Sequence, residues 1–83
     1  MITAAQCRAA RGLLAWSQQD LAGRAGVGIV TVHQLEAGIS HPRRATVDVV
    51  RRAFEAAGVA FIDGNGGGPG VRLSKPQGAK QSD

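Results

Sequence analysis

The chain has 83 residues, 43% of them hydrophobic, and ten Lys and Arg against six Asp and Glu give it a formal net charge of +4. That length supports one small domain with a modest core, near the size at which a second copy commonly adds stability. A single cysteine excludes an intrachain disulfide and a cysteine-rich zinc site; no apolar run reaches membrane-spanning length, and the basic balance suits a polyanionic partner.

Thr3 is placed to cap a first helix from about Ala4 to Ala15, with Cys7, Ala10 and Leu14 on one face and Arg8 and Arg11 on or beside its polar flank. Cys7, set among alanines, reads as a small buried apolar residue. The next boundary is well marked. Ser17-Gln18-Gln19-Asp20 fits a capping box, and Trp16 before it is placed to pack on Leu21, so a second short helix is expected from Gln18 to near Ala25. Gly26 then permits the positive φ of a sharp turn, Val27 points inward, and Gly28 is a weaker N-cap for the segment that begins at Ile29.

That segment is ambiguous by propensity. Ile29 to Val32 is a β-branched run of the kind enriched in strands. As a strand, however, Ile29, Thr31 and His33 would oppose Val30, Val32 and Gln34, which separates polar from apolar badly. As a helix ending at Leu35-Glu36-Ala37-Gly38, Val32, Leu35 and Glu36 share one side while Val30 and Gln34 lie opposite with His33 at the margin. The pattern therefore predicts a helix, and it leaves Ile29 and Val30 at an exposed helix start with no core to enter.

Gly38 to Pro42 reads as a stiff loop. Thr46 is expected to cap a longer helix to about Ala57, with Val47, Val50, Phe54 and Ala57 as its apolar stripe and Arg51 and Arg52 beside it. Gly58 ends that helix. Val59 to Ile62 and Val71 to Leu73 then resemble two short strands joined through a glycine-rich connection containing Asn65-Gly66. The polar segment KPQGAKQSD after Ser74 has no core-forming residues and is expected to be disordered. The predicted fold class is mainly α: a four-helix domain with a helix-turn-helix over residues 1–58, a β-hairpin over 59–74 and a tail over 75–83.

The spaced elements Ser17-Gln18-Gln19-Asp20-Leu21-Ala22, Ala25-Gly26-Val27 and Val32-x-x-Leu35-Glu36-x-Gly38 resemble the signature of the phage repressor/Cro-like, or XRE, helix-turn-helix family, over roughly residues 3 to 58. The resemblance makes the domain repressor-like and implies that the helix from about Ile29 to Ala37 enters the major groove of double-stranded DNA, N-terminal part foremost, while the start of the Gln18 helix meets the phosphate backbone. Ile29 and Val30 then need no core, because thymine C5-methyl groups offer them apolar contact. Gln34 suits adenine N6/N7, with Thr31 and His33 as further base contacts; a peripheral or phosphate contact is the competing reading for His33, and an ordinary solvated side chain for Gln34. The two positions matching Ile29 and Val30 are commonly polar in the family, a departure that leaves the operator sequence open.

Gln18, at a helix start with free backbone N–H groups, suits a phosphate oxygen. Arg43 and Arg44 come after the reading helix where the family commonly touches the DNA backbone, and His41 and Arg24 complete the phosphate candidates. The resemblance also implies a structural ion pair between Arg11 and Glu36. An unpaired carboxylate on the inward side of a helix is costly, which gives that pair a physical reason.

A homodimer on an inverted repeat is expected, its contact assigned to Val59, Phe61, Ile62, Val71 and Leu73, which put apolar side chains on both faces of a short hairpin; the competing reading is that the hairpin merely covers the helix from Thr46. Enzymatic function is not expected. There is no Ser/His/acid or Cys/His constellation, no pair of catalytic carboxylates, no cofactor motif and no metal-ligand spacing, and the GNGGGPG run lacks a P-loop lysine. Without the basic segment and apolar core of a signal peptide at its start, the chain is expected in the cytoplasm. The expected role is regulation of transcription, as a repressor or autoregulator of a small bacterial system such as a mobile element. The alternative is an antitoxin-like module that binds a protein partner and DNA only secondarily.

Overall fold

The computed structural model describes residues 2–38, 42–64 and 66–74. Four helices, α1 (Ala4–Leu14), α2 (Gln18–Ala25), α3 (Ile29–Ala37) and α4 (Arg44–Ala56), precede a two-stranded antiparallel sheet of β1 (Val59–Ile62) and β2 (Gly70–Leu73). The phosphate candidate His41, Asn65 of the glycine-rich connection and the tail after Ser74 lie outside the described residues.

Local chemistry starts the first two helices as their sequences predict. Thr3 accepts a hydrogen bond from the Gln6 N–H while the Gln6 side chain accepts from the Thr3 N–H, and Ser17 and Asp20 make the same reciprocal box at α2. α2 closes at Gly26, whose φ of 70° is the left-handed conformation that favours glycine. α1 ends one residue earlier than expected, with Ala15 itself in that region at φ 55°. Residues 29–32 are helical, so burial of Val32 and Leu35 outweighs β propensity.

The start of α4 differs from the expectation. Thr46 does not cap it. The helix begins at Arg44, with Arg43 in extended backbone as N-cap, no side-chain cap, and the Val47 N–H donating to the Arg43 carbonyl at 3.1 Å. A capping hydroxyl is worth only about 1 kcal/mol. Docking of Val47, Val50 and Phe54, all within 2% of complete burial, outweighs it and sets where the helix starts.

The core is built from Cys7 and Ala10 of α1, Leu21 and Ala22 of α2, Val32 and Leu35 of α3, Val47, Val50 and Phe54 of α4, and Val59 of β1. Trp16 stacks on Phe54 (centroids 5.6 Å apart), and Phe54 meets Phe61 edge-on at 5.9 Å. Strand register pairs Val59 with Leu73 and Phe61 with Val71, so these four share one face, and they pack on the core. The opposite face carries Ala60, Ile62, Gly70 and Arg72. The expectation of apolar side chains on both faces is thus corrected: of the five residues assigned to it, only Ile62 is on the outer face and exposed. Gln6, itself buried, ties the hairpin down by donating its side-chain amide to the carbonyls of Ile62 (3.3 Å) and Gly70 (3.0 Å).

Candidate nucleic-acid interface

α2, the glycine turn and α3 set the site. On α3 the buried residues Val32, Leu35 and Glu36 face α1 and α2, and helical geometry puts Val30, His33, Gln34 and Ala37 on the opposite side. All four are exposed, Val30 to 60%. Ile29, also exposed, and Thr31, half-buried, flank that face. An apolar side chain left this open at a helix start contributes nothing to the core, so it is free for an external surface.

Glu36 anchors the other side. Arg11 donates to it from two nitrogens, Nε to Oε2 at 2.6 Å and Nη2 to Oε1 at 2.8 Å, the fork geometry that makes such pairs strong. Gln18 Nε2 donates to Oε1 at 3.0 Å and the Cys7 thiol to Oε2 at 3.4 Å. Burial pushes the Glu36 carboxyl up, but the hydrogen bonds from Arg11, Gln18 and Cys7 outweigh that and hold it below its ordinary value. The hydrogen bond to Glu36 raises Arg11, so the pair is fully ionised. Burial first, then the Glu36 charge, pushes the Cys7 thiol up to about 12, so at neutral pH it is a proton donor and not a nucleophile.

A family model for helix-turn-helix proteins matches residues 8–59, more than half of the chain. The chain is a Cro/C1-type (XRE) helix-turn-helix protein. No curated relative matches it. The match takes in α2, the turn and α3 whole, and a helix-turn-helix protein of this type is a DNA-binding regulator.

The remaining candidates occupy different parts of this helix-turn-helix. Arg43 and Arg44 are exposed at the N-terminus of α4: Arg43 ends the loop as the extended N-cap, and Arg44 is the first helical residue. Arg24 is exposed in the last turn of α2 and lies over the Trp16 ring, 5.1 Å from its centroid. Gln18 is half-buried, one of its amide hydrogens committed to Glu36. Val59 is in the core, and Phe61, Val71 and Leu73 are half-buried against it.

Two contributors escaped the sequence reading. Gln6 was visible as half of a Thr-x-x-Gln capping box, but its reach to the hairpin, 56 and 64 residues away, leaves no local signal. Arg8, placed on the polar flank of α1, donates to the main-chain carbonyl of Glu36. No cluster of His, Cys, Asp and Glu suited to a metal ion occurs among the described residues, and no helix among them is long and apolar enough to cross a membrane.

Proposed function

We propose that the protein is a sequence-specific transcriptional regulator that binds an inverted-repeat operator as a homodimer, with α3 in the major groove, and acts as a repressor or autoregulator. The observation that carries this reading is the division of α3: one face locked by Glu36, the other left open with Val30, His33 and Gln34 exposed. In the groove, Gln34 pairs with adenine, Ile29 and Val30 approach thymine methyl groups, and Thr31 and His33 contact neighbouring bases. Arg43 and Arg44, together with the free N–H groups of the first turn of α4, bind phosphate, as do Arg24 and the uncommitted amide hydrogen of Gln18.

Two copies set their reading helices ~34–36 Å apart. The proposed contact is the outer face of the hairpin around Ile62; Val59, Phe61, Val71 and Leu73 lie on the opposite face, against the core. Because Ile62 is 41% exposed, Ile62→Glu is expected to shift the protein toward a folded monomer in sedimentation at micromolar concentration, with its helical circular dichroism kept. A variant that stays dimeric places the contact elsewhere.

Selection of bound sequences from random duplex DNA, followed by titration of the winner against a scramble at near-physiological salt, tests the function itself. A symmetric winner bound ~10³-fold or more tightly than the scramble is expected. Equal binding to both would contradict sequence-specific regulation and leave only charge-driven association.

A further inference from the structure

α3 stops at Gly38, left-handed at φ 67° as Gly26 is after α2. Its last turn, unlike that of α2, carries no basic residue to balance the helix dipole. The last carbonyls of a helix have no partner within it. Here one of them, that of Glu36, receives the guanidinium of Arg8 from a different helix. Arg8 and Arg11 stand three residues apart on α1, hence on one side of it, and grip the same residue of α3, one by its main chain and one by its carboxylate. Contact of the two helices is close there: a Cβ built on Gly38 would lie 3.8 Å from that of Ala4.

Beyond the packing of Val32 and Leu35, a carboxylate contact fixes the tilt of α3 only loosely, because the Glu36 side chain has rotatable bonds between the anchored oxygens and the backbone. A second bond to the main chain of the same residue removes that freedom. The consequence is felt at the far end. Ile29 and Val30 stand about 9–10.5 Å along the axis from Glu36 at ~1.5 Å per residue, so a tilt of about 5° displaces them by about 0.8–0.9 Å, enough to spoil a directional base contact.

We infer that Arg8 is a positioning residue for DNA reading: its guanidinium closes the C-terminal end of α3 and, with Arg11, fixes the tilt at which the exposed face of that helix meets the bases. The inference rests on the DNA-reading function proposed above. It assigns Arg8 a part in sequence discrimination without a base contact of its own, which separates it from Arg43 and Arg44, proposed to act on phosphates whatever the sequence.

The test compares wild-type protein with Arg8→Met and Arg8→Lys in three readouts: affinity for the selected duplex and for its scramble at one salt concentration, melting temperature, and amide hydrogen exchange of the free protein. For Arg8→Met the preference for the selected duplex is expected to fall about tenfold, the order of one mismatched base pair. Exchange in α3 is expected to quicken relative to α2, and Arg8→Lys, which keeps a charged donor, is expected to recover part of both. If the two affinities fall together, Arg8 is only a phosphate attractor and the inference is overturned. It is equally overturned if the melting temperature drops while preference and relative exchange stay unchanged, since Arg8 then serves stability alone. A wild-type protein with no preferred sequence would overturn the underlying function instead, a failure distinguishable because it precedes any comparison of variants.

Discussion

α2 and α3 are neighbours of nearly equal length that reach helicity by opposite routes. α2 buries Leu21 and Ala22 but also carries its own end signals: Ser17 and Asp20 cap it reciprocally, Asp20 sits in its first turn, Arg24 in its last, and Gly26 closes it. α3 has no side-chain cap at Gly28, no acidic residue in its first turn, no basic one in its last, and a β-branched run at its start. What α3 lacks internally is supplied by other helices, through burial of Val32 and Leu35 and through the hydrogen bonds that converge on Glu36. The lesson concerns function. A helix that keeps its outer face for a partner has few residues left for its own support, and the scaffold takes over that task from behind.

The largest test of this contrast is removal of the Glu36 grip. Arg11→Met leaves a buried carboxylate with only Gln18 and Cys7 against it, and breaking one side of such a pair costs roughly 3 kcal/mol. In a domain of this size that lowers the melting temperature by on the order of 10–20 °C. A drop of only a few degrees would show that α3 is held by its apolar contacts alone.

Acid removes the same grip without mutation. Glu36 titrates below its usual value in the folded chain, so its contribution is complete above the unfolded-state value near 4.5 and is lost as pH falls through the lower, folded one. Asp20 is also held low, first by its hydrogen bond from the Ser17 backbone, and adds to the same acid dependence. The opposite sign applies to Cys7. With its folded value raised to about 12, stability is full below pH 9 and declines as pH climbs from there toward 12. Urea midpoints across both ranges check the two slopes, and in Cys7→Ala the alkaline decline is expected to shrink.

Caps give the smallest and sharpest contrast. Ser17→Ala removes half of the α2 box and is expected to cost about 1 kcal/mol by urea denaturation. Gly28→Ser offers α3 the cap it lacks, at a position with extended backbone where an added Cβ meets nothing nearer than Thr31 Oγ1 at 4.0 Å. It is expected to stabilise by a few tenths of a kcal/mol. A loss of stability in Gly28→Ser would mean that the turn, and not the missing cap, dictates glycine there.

The same contrast explains what was legible in the sequence. Local signals announced what is locally caused: the cap at Thr3, the box at Ser17, the glycine after α2, the apolar stripe of α4 and the two short strands. The helicity of residues 29–32 was readable only from which residues needed burial, because local propensity pointed to a strand. The beginning of α4 was misread at Thr46, since packing of Val47 and Val50 decides it. Which face of the hairpin is covered depends on packing against α1 and α4, and the α1 residue that ties it down, Gln6, lies 56 and 64 residues from its partners in the chain, which a four-residue strand does not record. At the candidate site, the outward set on α3 could be read from helical geometry. The direction of Arg8 could not, because an arginine on a polar flank is compatible with solvent, phosphate or a neighbouring carbonyl.

Native-state hydrogen exchange of wild type and Arg11→Met, residue by residue in the absence of DNA, tests the central claim most directly. If α3 depends on support from α1, loss of Arg11 accelerates exchange across α3 more than across α2, whose caps are its own. Equal acceleration of both helices, matching the fall in global stability, would contradict the claim and make the two helices a single cooperative unit with no special dependence of α3 on Glu36.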